Sequence, residues 1–323
     1  MITAVDITRS AAAAAALPVV MAPVTAGQPI AHALDTLRPG IDQALRSHGG
    51  VLLRGYGVAD AEAFRAFAAA FGHPLVRYDF ASTPRRELGA GVYSSTEYPP
   101  HQAIPLHNEQ SYARAWPMKI WFHCQIVAAA GGETPIADGR KVHQRIDPAI
   151  RRRFAERGVL YVRNYGSGLD VPWQRVFGTS DAAAVEAYCD APGIAYEWKA
   201  DGELRTRQVA QGVANHPHSH EPVWFNQAHL FHVSALEPMV REALLDAVAP
   251  EDLPRNAYYG DGAAIEDGVL DEIRAVYREL EVVFPWQAGD VLMLDNMLVA
   301  HARTPFTGAR KVIVAMAEPF AGR

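Results

Sequence analysis

The sequence predicts a mixed α+β protein whose core is mainly β, a sandwich or barrel that carries helical insertions and flanking helices. From about residue 90 the chain consists of short apolar runs separated by glycine, proline and asparagine, which is typical of strands. Helical patterns fill the middle of the chain, and strand-like runs return near its end. No internal repeat or low-complexity linker divides it. We therefore expect a single domain, 1–323, with a long helical insertion at approximately 140–280.

Two helices and one strand are predicted before residue 90. Residues 28–48 and 60–72 show helical periodicity, and the second range places Phe64, Phe67 and Phe71 on one face. Between the two helices, residues 50–57 form an apolar run closed by glycines, which indicates a buried strand. The same reasoning predicts further helices at 143–157, 181–190, 235–248 and 265–279, and further strands at 119–127, 290–295 and 310–316.

Composition and charge argue against several classes of protein. With 323 residues, 49 % hydrophobic and 20 % charged, the chain is typical of a globular protein with a sizeable core. A net charge of −6 argues against nucleic-acid binding as its main task. The two cysteines, Cys124 and Cys189, are too few for a disulfide framework or a cysteine-based zinc site. Cys124 lies in an apolar run, where we expect a small buried residue.

The N-terminal region has only a weak likeness to a signal peptide. An alanine run at 11–16 precedes Leu-Pro-Val-Val-Met, but Asp6 offsets the charge of Arg9 and Pro18 interrupts the apolar stretch. No run of about 20 apolar residues is present, so we expect no segment to span a membrane. These features predict a cytoplasmic protein.

A His-x-Glu triplet and one distant histidine form a candidate metal site. His107 and Glu109 follow Ile-Pro-Leu, which places them at the end of a strand, where residues two apart point to the same face. His301 follows a Gly-Asp turn and a strand that ends in polar residues. Two imidazoles and one carboxylate can hold a non-haem Fe(II) on one face and leave three coordination positions open. The triplet alone is weak evidence, because it occurs often by chance.

Other histidines offer competing assignments. His216, His218 and His220 alternate in a loop rich in asparagine, proline and serine, where we expect them to be solvated. His229 and His232 are three residues apart. A zinc site built from these residues is the alternative to the iron site.

Arg310 is a candidate binding residue for a carboxylate. It opens a run of strong strand formers, and from there a guanidinium can present two parallel donors to a carboxylate inside a barrel. The alternative is a strand-edge charge in solvent. The candidate metal residues favour the first interpretation.

Taken together, these motifs resemble the taurine dioxygenase-like (TauD/TfdA) family of Fe(II)- and 2-oxoglutarate-dependent oxygenases. The similarity spans roughly residues 45 to 318, and it is greatest to the branch that hydroxylates amino acids in non-ribosomal peptide pathways. It is carried by Leu-Leu-Arg-Gly-Tyr (52–56), Ser-Thr-Glu-Tyr-Pro-Pro (95–100), Pro-Leu-His-Asn-Glu-Gln-Ser-Tyr (105–112), Gly-Gly-Glu-Thr-Pro-Ile-Ala-Asp-Gly-Arg (131–140), Val-Arg-Asn-Tyr-Gly (162–166), Trp-Phe-Asn-Gln-Ala-His-Leu-Phe-His (224–232) and Asp-Asn-Met-Leu-Val-Ala-His-Ala-Arg-Thr-Pro-Phe-Thr-Gly-Ala-Arg-Lys (295–311).

The resemblance implies a fold, a ligand set and a reaction. The fold would be a double-stranded β-helix (jelly roll) forming a single catalytic domain. His107, Glu109 and His301 would bind Fe(II), and Arg310 with the Thr134 hydroxyl would bind the distal carboxylate of the co-substrate 2-oxoglutarate. With O₂ as second co-substrate, the enzyme would hydroxylate an unactivated carbon and release succinate and CO₂.

Two positions depart from the usual family pattern. Most members of the family have Asp at the carboxylate position of the metal site. This chain has Glu109 there, and Glu is also frequent in the branch that hydroxylates amino acids. A related halogenating design needs a small residue at this position, so Glu109 argues against halogenation. Relatives that bind free acidic substrates often carry a second arginine four residues after the first, where this chain has Val314. This leads to the hypothesis that the substrate is esterified, amidated or held as a thioester on a peptidyl carrier protein. Glu97 is a candidate partner for a substrate ammonium, with a surface carboxylate as the alternative.

Other outcomes stay open at this point. The same cofactors can desaturate or cyclise a substrate, a zinc-dependent hydrolase on a cupin-like barrel would need neither O₂ nor a keto acid, and a non-catalytic binding module is a third class. The expected partner is an amino-acid-like small molecule, with no nucleic acid and no membrane. A homo-oligomer is compatible with the sequence, which does not determine the oligomeric state.

Overall fold

The computed structural model describes residues 17–76, 85–96, 98–166 and 171–322. Strands in this part of the chain are β1 (Val19–Met21), β2 (Gly50–Leu53), β3 (Glu87–Gly89), β4 (Val92–Ser94), β5 (Ile104–His107), β6 (Ala115–Ile126), β7 (Ala130–Gly131), β8 (Ile136–Asp138), β9 (Val159–Tyr165), β10 (Ala195–Trp198), β11 (Leu204–Ala210), β12 (Val213–Asn215), β13 (Pro222–Trp224), β14 (Arg255–Tyr259), β15 (Val291–Asp295), β16 (Val299–Arg303), β17 (Phe306–Thr307) and β18 (Lys311–Ala321). The helices are α1 (Ile30–His48), α2 (Ala61–Ala69), α3 (Gly139–Arg145), α4 (Pro148–Arg157), α5 (Trp173–Phe177), α6 (Ala182–Asp190), α7 (Ala228–Phe231), α8 (Pro238–Ala247) and α9 (Asp267–Leu280).

A seven-stranded sheet, which we call the large sheet, has the order β1-β2-β15-β6-β18-β4-β3. Its two longest strands, β6 and β18, pair antiparallel over most of their length, with Trp121 opposite Ala315. Its strands come from both ends of the chain. Residues distant in sequence are therefore neighbours in this sheet.

The two faces of the large sheet belong to two different apolar cores. In β18, Ile313 and Ala315 pack with α1 and α2, whereas Val312 and Val314 point to the opposite side. This alternation follows from the two-residue repeat of a strand. Phe64, Phe67 and Phe71 of the predicted helix 60–72 are all buried, as their spacing predicted, although α2 itself ends at Ala69.

A three-stranded sheet, β5-β16-β8, supplies part of the second core. Val299 of β16 and Ile136 of β8 pack in the same apolar cluster as Leu292, Phe122 and Val314 of the large sheet. The three candidate metal residues lie on β5, in the loop after it and on β16. The small sheet therefore places them next to the apolar core that it shares with the large sheet.

The chain between β8 and β15 contains helices α3 to α9 together with a four-stranded sheet of order β10-β11-β9-β14. The sequence predicted this region only as a helical insertion at approximately 140–280. The sheet was missed because its strands lie between helical segments and because its central strand, β9, pairs with β11 and β14, which are both distant from it in sequence. The prediction that helices and strands are mixed along the chain is confirmed for the described residues.

One predicted helix is two helices. The range 143–157 is divided between α3, which ends at Arg145, and α4, which begins at Pro148. Pro148 has no backbone N–H to continue a preceding helix, and the Asp147 carboxylate accepts hydrogen bonds from the N–H groups of Ala149 and Ile150. Asp147 therefore caps a new helix. The ranges 28–48, 181–190, 235–248 and 265–279 match α1, α6, α8 and α9 to within three residues at either end.

None of the helices in the described ranges combines the length and the apolar composition needed to cross a bilayer. Cys124 and Cys189 are both buried and not joined by a disulfide. Burial raises the pKa of each thiol to about 11. The expectation that Cys124 is a small buried residue is confirmed.

Candidate active site

The three candidate metal residues converge through strand pairing. β16 pairs antiparallel with β5, and this register sets His301 directly opposite His107, with ring centroids 4.5 Å apart. Glu109 lies two residues beyond His107, just after β5 ends. One ligand atom from each residue lies within 4.8 Å of the others, and His301 Nε2 is 3.9 Å from Glu109 Oε2. The structure therefore brings together all three residues that the sequence singled out.

The hydrogen bonds and burial of the two imidazoles fit a metal site. The Nδ1–H of His107 donates to the Pro105 carbonyl at 2.8 Å, which leaves the Nε2 lone pair available. Nδ1 of His301 is buried and has no hydrogen-bond partner among the described residues. Burial lowers the pKa of both histidines, so both rings are neutral, as a metal ligand must be. Two neutral imidazole nitrogens and one carboxylate are a donor set that suits Fe(II).

Arg310 and Thr134 line the same cavity as His107 and His301. The Arg310 Nε–H donates to the Gly132 carbonyl at 2.8 Å, and Nη1 lies 3.4 Å from the Ser95 hydroxyl, so both of these described partners are uncharged. Burial lowers the pKa of Arg310 to about 10, which still leaves it charged at neutral pH. A partly buried cation among uncharged partners favours binding of an anion.

Thr134 is oriented by the indole of Trp286. The Trp286 Nε1–H donates to the Thr134 hydroxyl oxygen at 3.1 Å. Because that oxygen accepts here, its own hydrogen is available to donate toward the cavity. Thr134 and Arg310 can therefore act on one anion together.

Two glycines before Thr134 allow this segment to pack closely against Pro305 and Arg310. Gly131 and Gly132 have φ angles of 68° and 77°, which L side chains rarely adopt. A Cβ on Gly131 would lie 2.1 Å from the Pro305 carbonyl oxygen, and one on Gly132 would lie 2.9 Å from Cδ of Arg310. The Gly-Gly-Glu-Thr motif is therefore required by close backbone packing at the arginine as well as by its threonine.

Asn296 fixes the backbone of Glu109, a role that the sequence did not reveal. Its side-chain oxygen accepts from the Glu109 N–H at 2.7 Å, and its Nδ2 donates to the carbonyls of Glu109 and Pro117 at 2.9 and 2.8 Å. Asn108 returns a bond from Nδ2 to the Asn296 carbonyl at 2.6 Å. Both asparagines are fully buried. The pair joins the loop after β5 to the turn before β16, which carries His301.

The competing histidine sites do not form within the described ranges. There, His107, Glu109 and His301 are the only group of three such side chains whose ligand atoms approach closely enough for one ion. The expectation that His216 is solvated is wrong, because its ring is buried and its Nε2 lies 3.0 Å from the Asp295 carboxylate. His218 and His220 are exposed, as expected. His229 is buried, and its Nε2–H donates to the Leu106 carbonyl at 2.9 Å.

Two positions bear on substrate binding. Glu97, the candidate partner for a substrate ammonium, lies outside the described residues, so that role stays a prediction. Val314 lines the cavity on the same strand face as Arg310, where a second arginine would point into the site. The structure adds one cation that the sequence did not suggest: Arg85, two residues before β3, lines the cavity and forms an ion pair with Glu109.

Comparison with known proteins agrees with this geometry. The family model described as "Taurine catabolism dioxygenase TauD, TfdA family" matches residues 18–316. The chain is 42 % identical over 279 residues to DdaC of Enterobacter agglomerans, a dapdiamide synthesis protein, covering 86 % of this chain and 85 % of DdaC. It is 31 % identical over 318 residues to a clavaminate synthase-like protein of Arabidopsis thaliana, covering 93 % of each.

Solved structures support the same fold. PvcB of Pseudomonas aeruginosa superimposes with a TM-score of 0.54 at 18 % identity, covering 92 % of this chain and 84 % of PvcB. PvcB is described as an Fe, alpha-ketoglutarate dependent oxygenase from an isonitrile synthetic pathway. Since the family match extends over nearly the whole chain, the protein belongs to the TauD/TfdA family and is an Fe(II)- and 2-oxoglutarate-dependent oxygenase.

Proposed function

We propose that the enzyme hydroxylates an unactivated carbon of an amino acid or an amino-acid-derived compound, using Fe(II), 2-oxoglutarate and O₂. The single observation that carries this proposal is the convergence of His107, Glu109 and His301 beside a cavity that also contains Thr134 and Arg310. A metal site and an anion site in one cavity are what a co-substrate with a keto acid at one end and a carboxylate at the other requires.

Each residue has a distinct role in this proposal. His107, Glu109 and His301 hold the iron, which when bound supplies the activation of O₂ that is coupled to decarboxylation of 2-oxoglutarate. The Arg310 guanidinium and the Thr134 hydroxyl hold the distal carboxylate. Apolar cavity-lining side chains, Ile104, Phe122, Val312 and Val314, exclude water from the reacting carbon. The large sheet and β5-β16-β8 would together form a double-stranded β-helix (jelly roll) in a single catalytic domain.

The substrate class rests on the relatives and on Glu109. The printed description of DdaC as a dapdiamide synthesis protein favours a small biosynthetic substrate. Glu109 leaves no vacant ligand position for a halide at the carboxylate site, which favours hydroxylation over halogenation. The sequence-based hypothesis of a carrier-bound substrate depends on Val314, so both free and carrier-bound forms belong in the test. A cytoplasmic location stays a prediction.

The test is O₂-dependent succinate release with a panel of free and carrier-loaded amino acids, read by product mass. Addition of one oxygen atom supports hydroxylation, whereas loss of two hydrogens would replace it with desaturation or cyclisation. His107→Ala and Glu109→Ala should abolish succinate formation, because each removes one of three ligands. His218→Ala is the matched control, since that side chain is 67 % exposed. Substrate hydrolysis with zinc and without O₂ would refute the proposal in favour of a hydrolase.

A further inference from the structure

The segment that carries His107 lies at the edge of its sheet. In the order β5-β16-β8, β5 pairs with β16 on one side, and no strand of the described ranges pairs with it on the other. Its pairing with β16 is also irregular, because the register shifts between His301 and Arg303. An edge strand has a row of backbone groups that its own sheet does not satisfy, and an irregular register interrupts the ladder further. Where such groups are buried, they need partners from outside the sheet.

Two side chains from one short segment bond to the backbone on either side of His107. The Nε2–H of His229 donates to the Leu106 carbonyl at 2.9 Å. Nε2 of Gln227 donates to the Asn108 carbonyl at 2.7 Å. Both donors and both acceptors belong to residues that are no more than 5 % exposed. The backbone that precedes and follows His107 is therefore held by two buried hydrogen bonds from another part of the chain.

Contacts with β9 and α9 hold the two donors themselves in place. The Gln227 N–H donates to the Tyr161 hydroxyl of β9 at 2.8 Å. The His229 carbonyl accepts two bonds from the Arg274 guanidinium of α9, at 2.9 and 3.2 Å. The His229 ring packs against Tyr277 of the same helix, with ring centroids 4.9 Å apart. The position of both donors is thus set by the region between β8 and β15.

The polar groups of the His229 ring have a single described hydrogen bond. Burial lowers the pKa of His229 to about 4, so the ring is neutral at neutral pH and has one N–H. That hydrogen is on Nε2, because the Leu106 carbonyl can only accept. Nδ1 is buried and has no hydrogen-bond partner among the described residues. The one donor of this buried ring is therefore directed at the backbone beside a candidate metal ligand.

We propose that Gln227 and His229 are positioning residues for the metal site, which hold the backbone around His107 so that its imidazole faces Glu109 and His301. This inference rests on the proposed function, since it requires a metal at those three residues. Neither positioning residue touches the metal, and each acts through a backbone carbonyl next to His107. The region between β8 and β15 thereby takes part in the reaction, because it sets the geometry of the metal ligands.

The test uses Co(II) alone, bound to the whole chain without co-substrate. Its affinity is measured by titration, and its visible absorption spectrum reports the geometry of its ligands. His229→Phe keeps an aromatic ring but removes the donor, and we expect Co(II) affinity to fall roughly tenfold, with a changed absorption spectrum at saturating metal. Gln227→Glu keeps the shape of the side chain but cannot donate to a carbonyl, so both quantities should change in the same direction.

A conservative variant and a matched control separate positioning from stability. His229→Gln places a donor at the end of a side chain of similar reach and should recover most of the wild-type affinity and spectrum. His123→Phe is the control, because His123 is also buried, donates from Nδ1 to the Asp290 carbonyl at 3.2 Å and stacks on Phe64 of α2. Urea unfolding should show a comparable loss of stability in His123→Phe, whereas its Co(II) spectrum should be unchanged.

Wild-type affinity and an unchanged spectrum in His229→Phe and Gln227→Glu would overturn the inference and leave the proposed function intact. Weaker binding with an unchanged spectrum would also overturn it, since loss of stability alone would explain that result. A His229→Gln variant that behaves as His229→Phe does would have the same consequence, because the hydrogen bond would then not position the ligand.

Two other results would overturn the proposed function, and this inference with it. One is absence of Co(II) binding by the wild type, and the other is Co(II) binding that survives His107→Ala unchanged. Circular dichroism checks that each variant folds. Because Gln227 and His229 are tested separately, the variant at one position decides if the variant at the other does not fold.

Discussion

Arg310 is the residue on which co-substrate binding depends most directly. Its guanidinium is partly buried, its described partners are the Gly132 carbonyl and the Ser95 hydroxyl, and its pKa of about 10 keeps it charged. Arg310→Gln should therefore raise the KM for 2-oxoglutarate, by roughly 10- to 100-fold, because a charge-assisted bond to the carboxylate is lost. The effect on kcat at saturating 2-oxoglutarate should be much smaller.

Succinate release measured across a range of 2-oxoglutarate concentrations checks this expectation. Lys311→Gln is the matched control, since Lys311 is the exposed next residue in the chain and its substitution removes the same charge. An Arg310→Gln enzyme with an unchanged KM for 2-oxoglutarate and a reduced kcat would contradict the assignment and place Arg310 in the chemical step or in folding.

At the level of single residues, the sequence revealed side chains that are recognisable by their chemical type. It did not reveal side chains whose role depends on a contact that only the fold creates. His107, Glu109 and His301 are recognisable as ligand types in a motif. His216 was wrongly expected in solvent because its partner Asp295 is distant in sequence and only the fold brings the two together. Arg85 gave no signal for the same reason. Its contact with Glu109 depends on how the segment before β3 approaches the loop after β5.

At the scale of elements, the pairing of β5 with β16 assembles the candidate metal site, and the Asn108–Asn296 pair fixes the approach of the two segments. Asn296→Ala leaves the buried N–H of Glu109 and two buried carbonyls without their partner. We expect the free energy of unfolding to fall by about 2–4 kcal/mol. Mn(II) affinity should fall roughly 10- to 100-fold, since residues that orient metal ligands have effects of that size.

Urea unfolding and Mn(II) titration of the same variant separate the two effects. Asn215→Ala, on the exposed side of β12, is the matched control and should change neither quantity appreciably. If Asn296→Ala is destabilised but binds Mn(II) as the wild type does, Asn296 has a structural role only and the positioning of Glu109 does not depend on it.

Elements with a strong local pattern were predictable, whereas their pairing was not. The phenylalanines of α2 and the periodicity of α9 specify helices without help from the rest of the chain. The break at Asp147-Pro148 was present in the sequence as a cap followed by a proline, and it was overlooked because apolar spacing continues across it. The sheet β10-β11-β9-β14 has no comparable local signal, since its register joins residues such as Arg163 and Thr206 across intervening helices.

At the scale of the whole molecule, the region between β8 and β15 shares its core with the small sheet. One apolar cluster contains Phe154 and Leu270 from that region together with Leu106 of β5 and Ala300 of β16. Neither part can lose its packing without exposing apolar surface of the other. Shared burial of this kind predicts that the chain unfolds as one cooperative unit, as a single domain would.

The two cysteines allow this cooperativity to be measured. Cys189 packs in the core of the region between β8 and β15, and Cys124 packs between the large and small sheets. Burial raises the pKa of each thiol to about 11, so neither forms an appreciable thiolate near pH 8 in the folded protein, and both return to ordinary reactivity on unfolding.

We expect pulse labelling with iodoacetamide in increasing urea, read peptide by peptide by mass spectrometry, to give one midpoint for both residues. Intrinsic tryptophan fluorescence should follow the same curve. Labelling of Cys189 at clearly lower urea than Cys124 would contradict this expectation, because the region between β8 and β15 would then unfold as a separate domain.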